Sequence, residues 1–468
     1  PLAQLKSSKG IITEITTTRE IYRMYDSGDK AEKMRSYVKD MEASYDLDYL
    51  LLAGDYDKVP TRLTYNPYPC NMMGVNEPSN FASDSYFACV DRGSSWNTDG
   101  DKRIGEHSDL DDVVPDLAVG RMAINDNMKM KEMVLSLIDR EINRSVGDDE
   151  DIQVYIAGDP GRNPGSVTSV MDYFWDTYGE DQFPGHDTMY YDGTGNLSFG
   201  TSGFLNMLES GHQFMGYFAH GKFDNIPNLV TASDIENMDE GDPAGFFFAM
   251  ACVNGMFDDP TQGNIGGTGD CFAETMTENP GKGVVAYMAA SRLSMGAIDT
   301  SYSGDAPGLM EDYWRSVEKA AKGQIPATSG DIYRDAQTHF SSTFYPFPNS
   351  MMDGSHRTFL EYNLLGEPEA PAILEDTEDL QMEYVIGPDK GWIEVTVTDS
   401  WGDPVPSANV TLFRLSELGK TSVTDSDGIV NISIPESNGG DVQLSSYKKG
   451  YKPETTGITL PDTLAPEG

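Results

Sequence analysis

Positive charge is what this sequence lacks most. Its 468 residues include 33 lysines and arginines against 76 aspartates and glutamates, a net charge of −43. Such a balance argues against nucleic acid or an anionic membrane surface as partner, because both would repel the chain. Cysteine is scarce too. Cys70, Cys89, Cys252 and Cys271 are the whole supply, too few for a disulfide scaffold, and a Cys70–Cys89 pairing stays open. No apolar run approaches the ~20 residues of a membrane-spanning helix, so no membrane insertion is expected, and no signal peptide is visible. What the chain does have is length, enough for two or three domains and an ample core. Its acidity suits a protein kept soluble in salty or extracellular surroundings, or one that carries bound cations.

Two apolar runs between Phe214 and Phe257 end in reactive side chains. FMGYFAHG stops at His220-Gly221, and GFFFAMACVNG stops at Cys252, followed by Val253-Asn254-Gly255. Each run is short, β-prone and nearly continuous, the pattern of a strand buried on both faces of a parallel sheet. Open α/β sheets bind ligands at the carboxyl ends of their strands, so the thiol and the imidazole are expected to meet there. A thiol beside an imidazole ionises near neutral pH, and the thiolate is a nucleophile. Free cysteine is also among the most buried residue types, and a lone histidine is more often structural than catalytic. On the residues alone both readings stand. His107, His186, His212, His339 and His356 have no comparable setting.

Around these runs, strands alternate with helical stretches. Residues 1–60 read as strand (GIITEI), helix and strand, the last over Tyr49–Ala53. Further strands are read at Leu117–Val119 and Ile152–Ala157. Between them Met130, Met133, Val134, Leu137 and Ile138 recur at helical spacing behind an Asn125/Asp126 cap. The alternation implies a doubly wound, mostly parallel α/β sheet. Near Leu374 the composition changes. Residues 374–390 read as a linker, and 391–468 as short alternating strands separated by Gly, Asp and Pro turns, a small all-β, Ig-like sandwich.

An acidic loop supplies a second chemical signal. Asn97-Thr98-Asp99-Gly100-Asp101-Lys102-Arg103-Ile104-Gly105-Glu106 places oxygen ligands at alternate positions around glycine turns. That arrangement suits calcium, which takes six to eight oxygens. Asn97, Asp99, Asp101 and Glu106 are the candidate ligands, with the Arg103 carbonyl as a further one. Ser108 at the twelfth position excludes an EF-hand, and a plain acidic turn is the alternative reading.

LKSSKGIITEI, YLLLAGDYDKVP, SDSYF, WNTDGD, PDLAVGRM, YFAHG, ACVNGMF, CFAE, VVAYMAAS and YNLLGEP occur in that order over residues 1–372. Together they resemble the gingipain family of cysteine peptidases (family C25), of the same broad group as caspases and legumain. The stretch VTVTDSWGDPVPSANVTLF resembles the carboxypeptidase-regulatory-like sandwiches appended to secreted enzymes. The resemblance implies a caspase-like α/β domain over residues 1–373, with an N-terminal subdomain over residues 1–150 and a catalytic subdomain over residues 151–373. It makes Cys252 the nucleophile, His220 the general base, and the N–H groups of Gly221 and Cys252 the oxyanion donors. The family often has Gly-His-Gly where this chain has Ala219-His220-Gly221. It also places a carboxylate behind the histidine. Asp159 in YIAGDPG stands at that point, although Asp before Pro-Gly also simply starts turns. Loops like 97–106 precede PDLAVGR in the family and look like calcium sites. Protein or peptide substrates and an extracellular or cell-surface location follow as expectations, as does a leader and pro-segment trimmed ahead of Pro1.

The family cleaves after Arg or Lys, using an acidic residue in its S1 pocket. Here Asp172 falls near the arginine-specific branch's position, Asp299 is a further candidate, and Arg292 opens a run to Gly296 that holds no acid. These three are the candidate substrate-binding residues. A non-basic P1 preference is one alternative, and a surface adhesin on a peptidase scaffold is another.

Overall fold

The apolar runs become neighbouring strands of one sheet in the computed structural model. It describes residues 1–71, 74–91, 95–111, 113–143, 151–158, 164–190, 199–295, 305–347, 354–387, 391–415, 418–434 and 440–460. Two compact units divide the chain: Thr18–Met133 with Gly147–Leu374, and Pro1–Thr17 with Val134–Val146 and Glu375–Gly468.

In the first unit the sheet strands are Tyr49–Ala53 (β1), Ala118–Met122 (β2), Asp151–Gly158 (β3), Gly185–Tyr190 (β4), Phe214–Ala219 (β5), Ala244–Met250 (β6), Val284–Ala290 (β7) and Tyr362–Gly366 (β8). Their spatial order is β1-β2-β8-β7-β6-β5-β3-β4. Only β7 and β8 pair antiparallel, and the other pairings are parallel. Every position of β6 and of β7 is buried, which is why their sequences are continuous apolar runs rather than alternating ones. Phe204, Met207 and Leu208 of the helix Gly200–Ser210 join Phe247 and Tyr287 of the sheet in one cluster. Burying each such side chain contributes about 1.5–3 kcal/mol. The helix Asn127–Asn143 starts where Asp126 Oδ1 accepts the N–H groups of Met128 (2.8 Å) and Lys129 (2.9 Å), the expected cap.

The second unit holds two four-stranded sheets. Its strands are Glu378–Ile386 (β9), Trp392–Asp399 (β10), Asn409–Arg414 (β11), Leu418–Val423 (β12), Ile429–Ser433 (β13), Gly440–Tyr447 (β14), Tyr451–Lys452 (β15) and Glu454–Leu460 (β16). The orders are β13-β10-β9-β15 and β12-β11-β14-β16. Ile393, Val395 and Val397 alternate inward from β10 and share a core with Val410, Leu412 and Leu444 of the other sheet. The arrangement is a β-sandwich.

Several expected boundaries move. Residues 374–390 are not a plain linker, because β9 lies within them and pairs with β10 from Leu380↔Asp399 to Ile386↔Ile393. GIITEI forms no strand. The helix Leu2–Ser8 precedes it, and residues 1–17 group with the sandwich, where Ser445 Oγ donates to the Ser8 carbonyl (2.8 Å). The expected subdomains, residues 1–150 and 151–373, share one sheet through the β2–β8 pairing, Leu365↔Arg121. All four cysteines are free thiols, so Cys70 and Cys89 are not bridged. Among the described residues no helix is long and apolar enough to cross a membrane.

Candidate active site

Strands β5 and β6 run parallel in register from Phe214↔Phe246 to Phe218↔Met250. Two residues beyond that last pair, both chains reach their reactive side chains, His220 and Cys252. A Cβ built on Gly221 would come 2.6 Å from the Cys252 carbonyl oxygen and 2.7 Å from Asn254 Oδ1. Only glycine permits that approach, so the His-Gly turn lies directly against the cysteine loop. Asn254 ties the two together, its side-chain amide donating to the carbonyls of Lys222 (2.6 Å) and Asn225 (3.3 Å). On the other side, Tyr217 OH donates to the His220 carbonyl (2.7 Å).

The residue after the cysteine is strained. Val253 has φ 51°, the left-handed region, which a β-branched side chain rarely adopts. Such conformations cost about 1–3 kcal/mol and gather at functional sites. Here the Val253 N–H donates to the Arg292 carbonyl (2.8 Å) and the Gly255 N–H to Ala290 (3.0 Å), holding the turn on the end of β7. His220 is exposed and Cys252 half-buried. The thiol donates to the Ser294 carbonyl (3.7 Å). Burial pushes it up to about 11, the Glu361 carboxylate adds to this, and Arg357 works against it. At neutral pH the sulfur therefore keeps its proton until a base takes it.

Beneath the thiol lies a charged cluster that sequence reasoning missed. Arg357 donates through Nε to Glu361 (3.0 Å), through Nη1 to Glu77 (3.2 Å) and through Nη2 to the Leu293 carbonyl (2.6 Å). Glu77 also accepts the Leu293 N–H (3.0 Å). Burial pushes Glu361 up to about 8 against the pull of Arg357. The only sequence signal was the i, i+4 spacing of Arg357 and Glu361 ahead of YNLLGEP. Glu77 sits in an irregular loop and gave none.

The expected substrate-binding residues scatter. Arg292 does not face a pocket: it is fully buried, with its guanidinium on Asp258 (2.7 Å to each oxygen) and the Asn80 carbonyl (2.8 Å). An unpaired guanidinium is too costly to bury, so Asp258 has drawn it inward. Asp172 is exposed and accepts from Tyr190 OH (2.8 Å). Tyr190 ends β4, three strands from β6, roughly 14 Å at ordinary strand spacing. Asp159 and Asp299 lie outside the described residues.

The acidic loop gathers as a ligand set. Asp99, Asp101 and Glu106 each offer a carboxylate oxygen, all within 4.8 Å of one another. Gly100 (φ 75°) and Gly105 (φ 80°) make the turns. Asn97 Oδ1 is buried without a hydrogen-bond partner, while its Nδ2 donates to the Asp101 carbonyl (3.0 Å). Asp109 was missed. It is buried, Oδ1 accepts the Thr98 N–H (2.8 Å), and Oδ2 has no partner. Arg103 stacks its guanidinium on Tyr65, 5.0 Å from the ring centre. The donors are all oxygen and include bare buried ones, which fits a hard cation such as calcium.

An α/β sheet whose central strand ends set a cysteine loop against a histidine turn has the architecture of a cysteine-type endopeptidase. The chain belongs to peptidase family C25, whose profile matches residues 1–372, and it is a cysteine peptidase. No curated protein matches the sequence. Solved structures with the same fold include the Arg-specific cysteine proteinase gingipain R (RgpB), with a TM-score of 0.69 and 16% identity, covering 98% of this chain and 94% of that one. The complex of the Porphyromonas gingivalis RgpB pro- and mature domains matches with a TM-score of 0.69 and 15% identity, over 98% and 96%. A third, a protease, matches with a TM-score of 0.67 and 15% identity, over 98% and 93%. At these identities the likeness is one of fold.

Proposed function

We propose that the protein is a secreted cysteine endopeptidase that uses Cys252 and His220 as a dyad. The observation that carries this reading is the packing of Gly221 against the Cys252 carbonyl at the paired ends of β5 and β6. His220 takes the Sγ proton as the thiolate attacks the scissile carbonyl carbon. The carbonyl oxygen becomes an oxyanion held by the N–H groups of Gly221 and Cys252. The imidazolium then gives its proton to the departing amine, leaving a thioester. Water, deprotonated by His220, attacks the thioester and releases the acid and the free thiol. Asp159 fixes the imidazole tautomer in this scheme.

Cleavage after Arg or Lys is the substrate reading, supported by the Arg specificity named for one neighbour of the same fold. The net charge of −43 also draws cationic peptides. Asp172 and Asp299 are its candidate carboxylates. Calcium at Asn97, Asp99, Asp101 and Glu106 orders the long loop before β2, with the Arg103 carbonyl as a further ligand. The sandwich serves as a structural or adhesive module outside the cell.

Limited iodoacetamide followed by peptide mapping tests the dyad. Cys252 is labelled first and fastest, because its thiolate is regenerated by a neighbouring imidazole, whereas Cys89 and Cys271 are fully buried. Labelling of Cys70 at the same rate, with His220→Ala leaving the Cys252 rate unchanged, would sink it.

A further inference from the structure

We propose that Asn254 is a positioning residue that holds the His220 turn against the cysteine loop, with Tyr217 as its counterpart on the strand side. This role rests on the reading of Cys252 and His220 as a dyad, and it concerns what keeps the two halves within reach of each other.

The two loops are not equally fixed. The cysteine turn is anchored, because the N–H groups of Val253 and Gly255 donate to the carbonyls of Arg292 (2.8 Å) and Ala290 (3.0 Å) at the end of β7. The histidine turn lies beyond the sheet. Strand β5 ends at Ala219, opposite Gly158, and the His220 side chain is exposed. Burial does little to place such a ring, so its position is inherited from its backbone.

Asn254 reaches that backbone from the anchored side. It is fully buried, and its Nδ2 donates to the carbonyls of Lys222 (2.6 Å) and Asn225 (3.3 Å). The Lys222 N–H also donates to the Asn225 carbonyl (3.0 Å). Both acceptors therefore belong to one tight turn that starts directly after His220-Gly221. From the other side the buried Tyr217 donates its hydroxyl to the His220 carbonyl (2.7 Å). The backbone that carries the imidazole is gripped at both ends.

The grip has local costs, which point to function. Asn254 Oδ1 is buried with no hydrogen-bond partner, and Val253 beside it holds its left-handed φ of 51°. Turning the amide over gives no relief, because Oδ1 would then face two carbonyl oxygens. The bare oxygen lies against Gly221, where an added Cβ would come within 2.7 Å of it. An asparagine kept for folding alone would satisfy both of its groups. Strain and an unmade bond on adjacent residues persist where a site demands them. The demand here is for a ring that stays in place after the thiolate has been consumed, so that it can protonate the departing amine. A misplacement of about 1 Å costs on the order of 100-fold in rate.

The test compares His220→Ala, Asn254→Ala, Tyr217→Phe and the His220→Ala/Asn254→Ala double variant in the full chain, with melting followed in parallel. Iodoacetamide labelling of Cys252, followed across pH, needs no substrate. Asn254→Ala lowers the neutral-pH rate to that of His220→Ala and moves the profile upward, to that of a thiol without a base. Adding it to His220→Ala causes no further fall, because it acts through the histidine. With a fluorogenic peptide carrying Arg at P1, kcat falls about 100-fold while KM is roughly unchanged. Tyr217→Phe keeps its ring and shifts the same readouts in the same direction by less. An unchanged labelling rate in His220→Ala overturns the dyad and this role together. A rate that falls in His220→Ala but stays at the wild-type value in folded Asn254→Ala overturns the positioning role alone. If Asn254→Ala does not fold, a wild-type rate and kcat in Tyr217→Phe overturn it instead. So does a further fall in the double variant.

Discussion

Two buried acid clusters, one in each unit, are handled in opposite ways. In the sandwich-bearing unit, Glu141 meets Lys6 at 2.8 Å and Lys9 as well, with side chains 10%, 5% and 3% exposed respectively. Burial alone would push Glu141 up, but the two lysines reverse this and leave it at about 2. In the sheet-bearing unit, Glu77 and Glu361 share the single guanidinium of Arg357. There burial wins, and Glu361 is pushed up to about 8. Paired charge in the first case is a fastening. Surplus acid in the second lies beside the loop that carries the thiol's hydrogen-bond acceptor, and after burial it is what most raises the Cys252 thiol. The distinction is between charge matched within its own cluster and charge left in excess beside the proposed nucleophile.

The sharpest way to break that distinction is to remove one group from each side. Cys252→Ala lowers kcat/KM for peptide cleavage by roughly 10³-fold or more, as loss of a nucleophile does, and leaves the melting temperature nearly unchanged. Glu141→Ala does the reverse. It removes the carboxylate shared by two buried lysines, costs about 3–5 kcal/mol in the stability of its unit, and leaves cleavage intact. The depressed pKa of Glu141 gives a further check. Its contribution is fully present above its ordinary value of 4.5 and is lost as pH falls toward about 2. The contrast fails if Cys252→Ala melts as low as Glu141→Ala, or if the latter loses cleavage.

How far the fold was legible follows from what each segment must bury. Strands β5 and β6 were readable because a strand covered on both faces has to be apolar throughout, and the catalytic candidates simply stood at their ends. The Asp126 cap was readable because capping is local. β9 was not, since most of Glu378–Ile386 is exposed and its alternation is weak, so its polar residues passed for a linker. GIITEI has strand-forming residues but no partner strand, and Ile12 instead lies across Gly419. The charged cluster under Cys252 was invisible for a different reason. Glu77, Leu293 and Arg357 come from three distant segments, and no spacing rule joins them. Arg292 misled because its partner Asp258 lies 34 residues away.

Calcium sharpens the comparison from the side of the loop. Asp99, Asp101 and Glu106 are surplus acids like Glu361, but in the proposed site their excess is to be matched by an ion rather than by a side chain. At a hundredfold excess over Kd, a ligand that binds only the folded state adds about 2.7 kcal/mol. Chelation therefore lowers the melting temperature of the sheet-bearing unit, and Asp99→Ala with Asp101→Ala removes most of that chelator sensitivity. Equal sensitivity in the double variant would assign the effect to another site.

The smallest effect is a slope. Glu361 is raised from an ordinary 4.5 to about 8 in the folded protein, so between those values the folded state holds a proton that the unfolded state has released. Stability from this group is fully present below pH 4.5 and declines as pH rises toward 8, by at most about 1.4 kcal/mol per pH unit for one proton. Glu141 slopes the other way, which makes the two units distinguishable in one pH series. Glu361→Gln mimics the protonated form. It matches the wild type below pH 4.5 and pulls ahead of it as pH rises, so melting curves taken from pH 5 to 8 diverge. The same substitution removes the carboxylate that raises the Cys252 thiol. The pH profile of alkylation at Cys252 accordingly shifts toward lower pH, while that of Cys70 stays where it is. Parallel melting curves together with an unmoved alkylation profile would reduce the cluster to a fastening like Glu141, and the contrast between the two units would disappear.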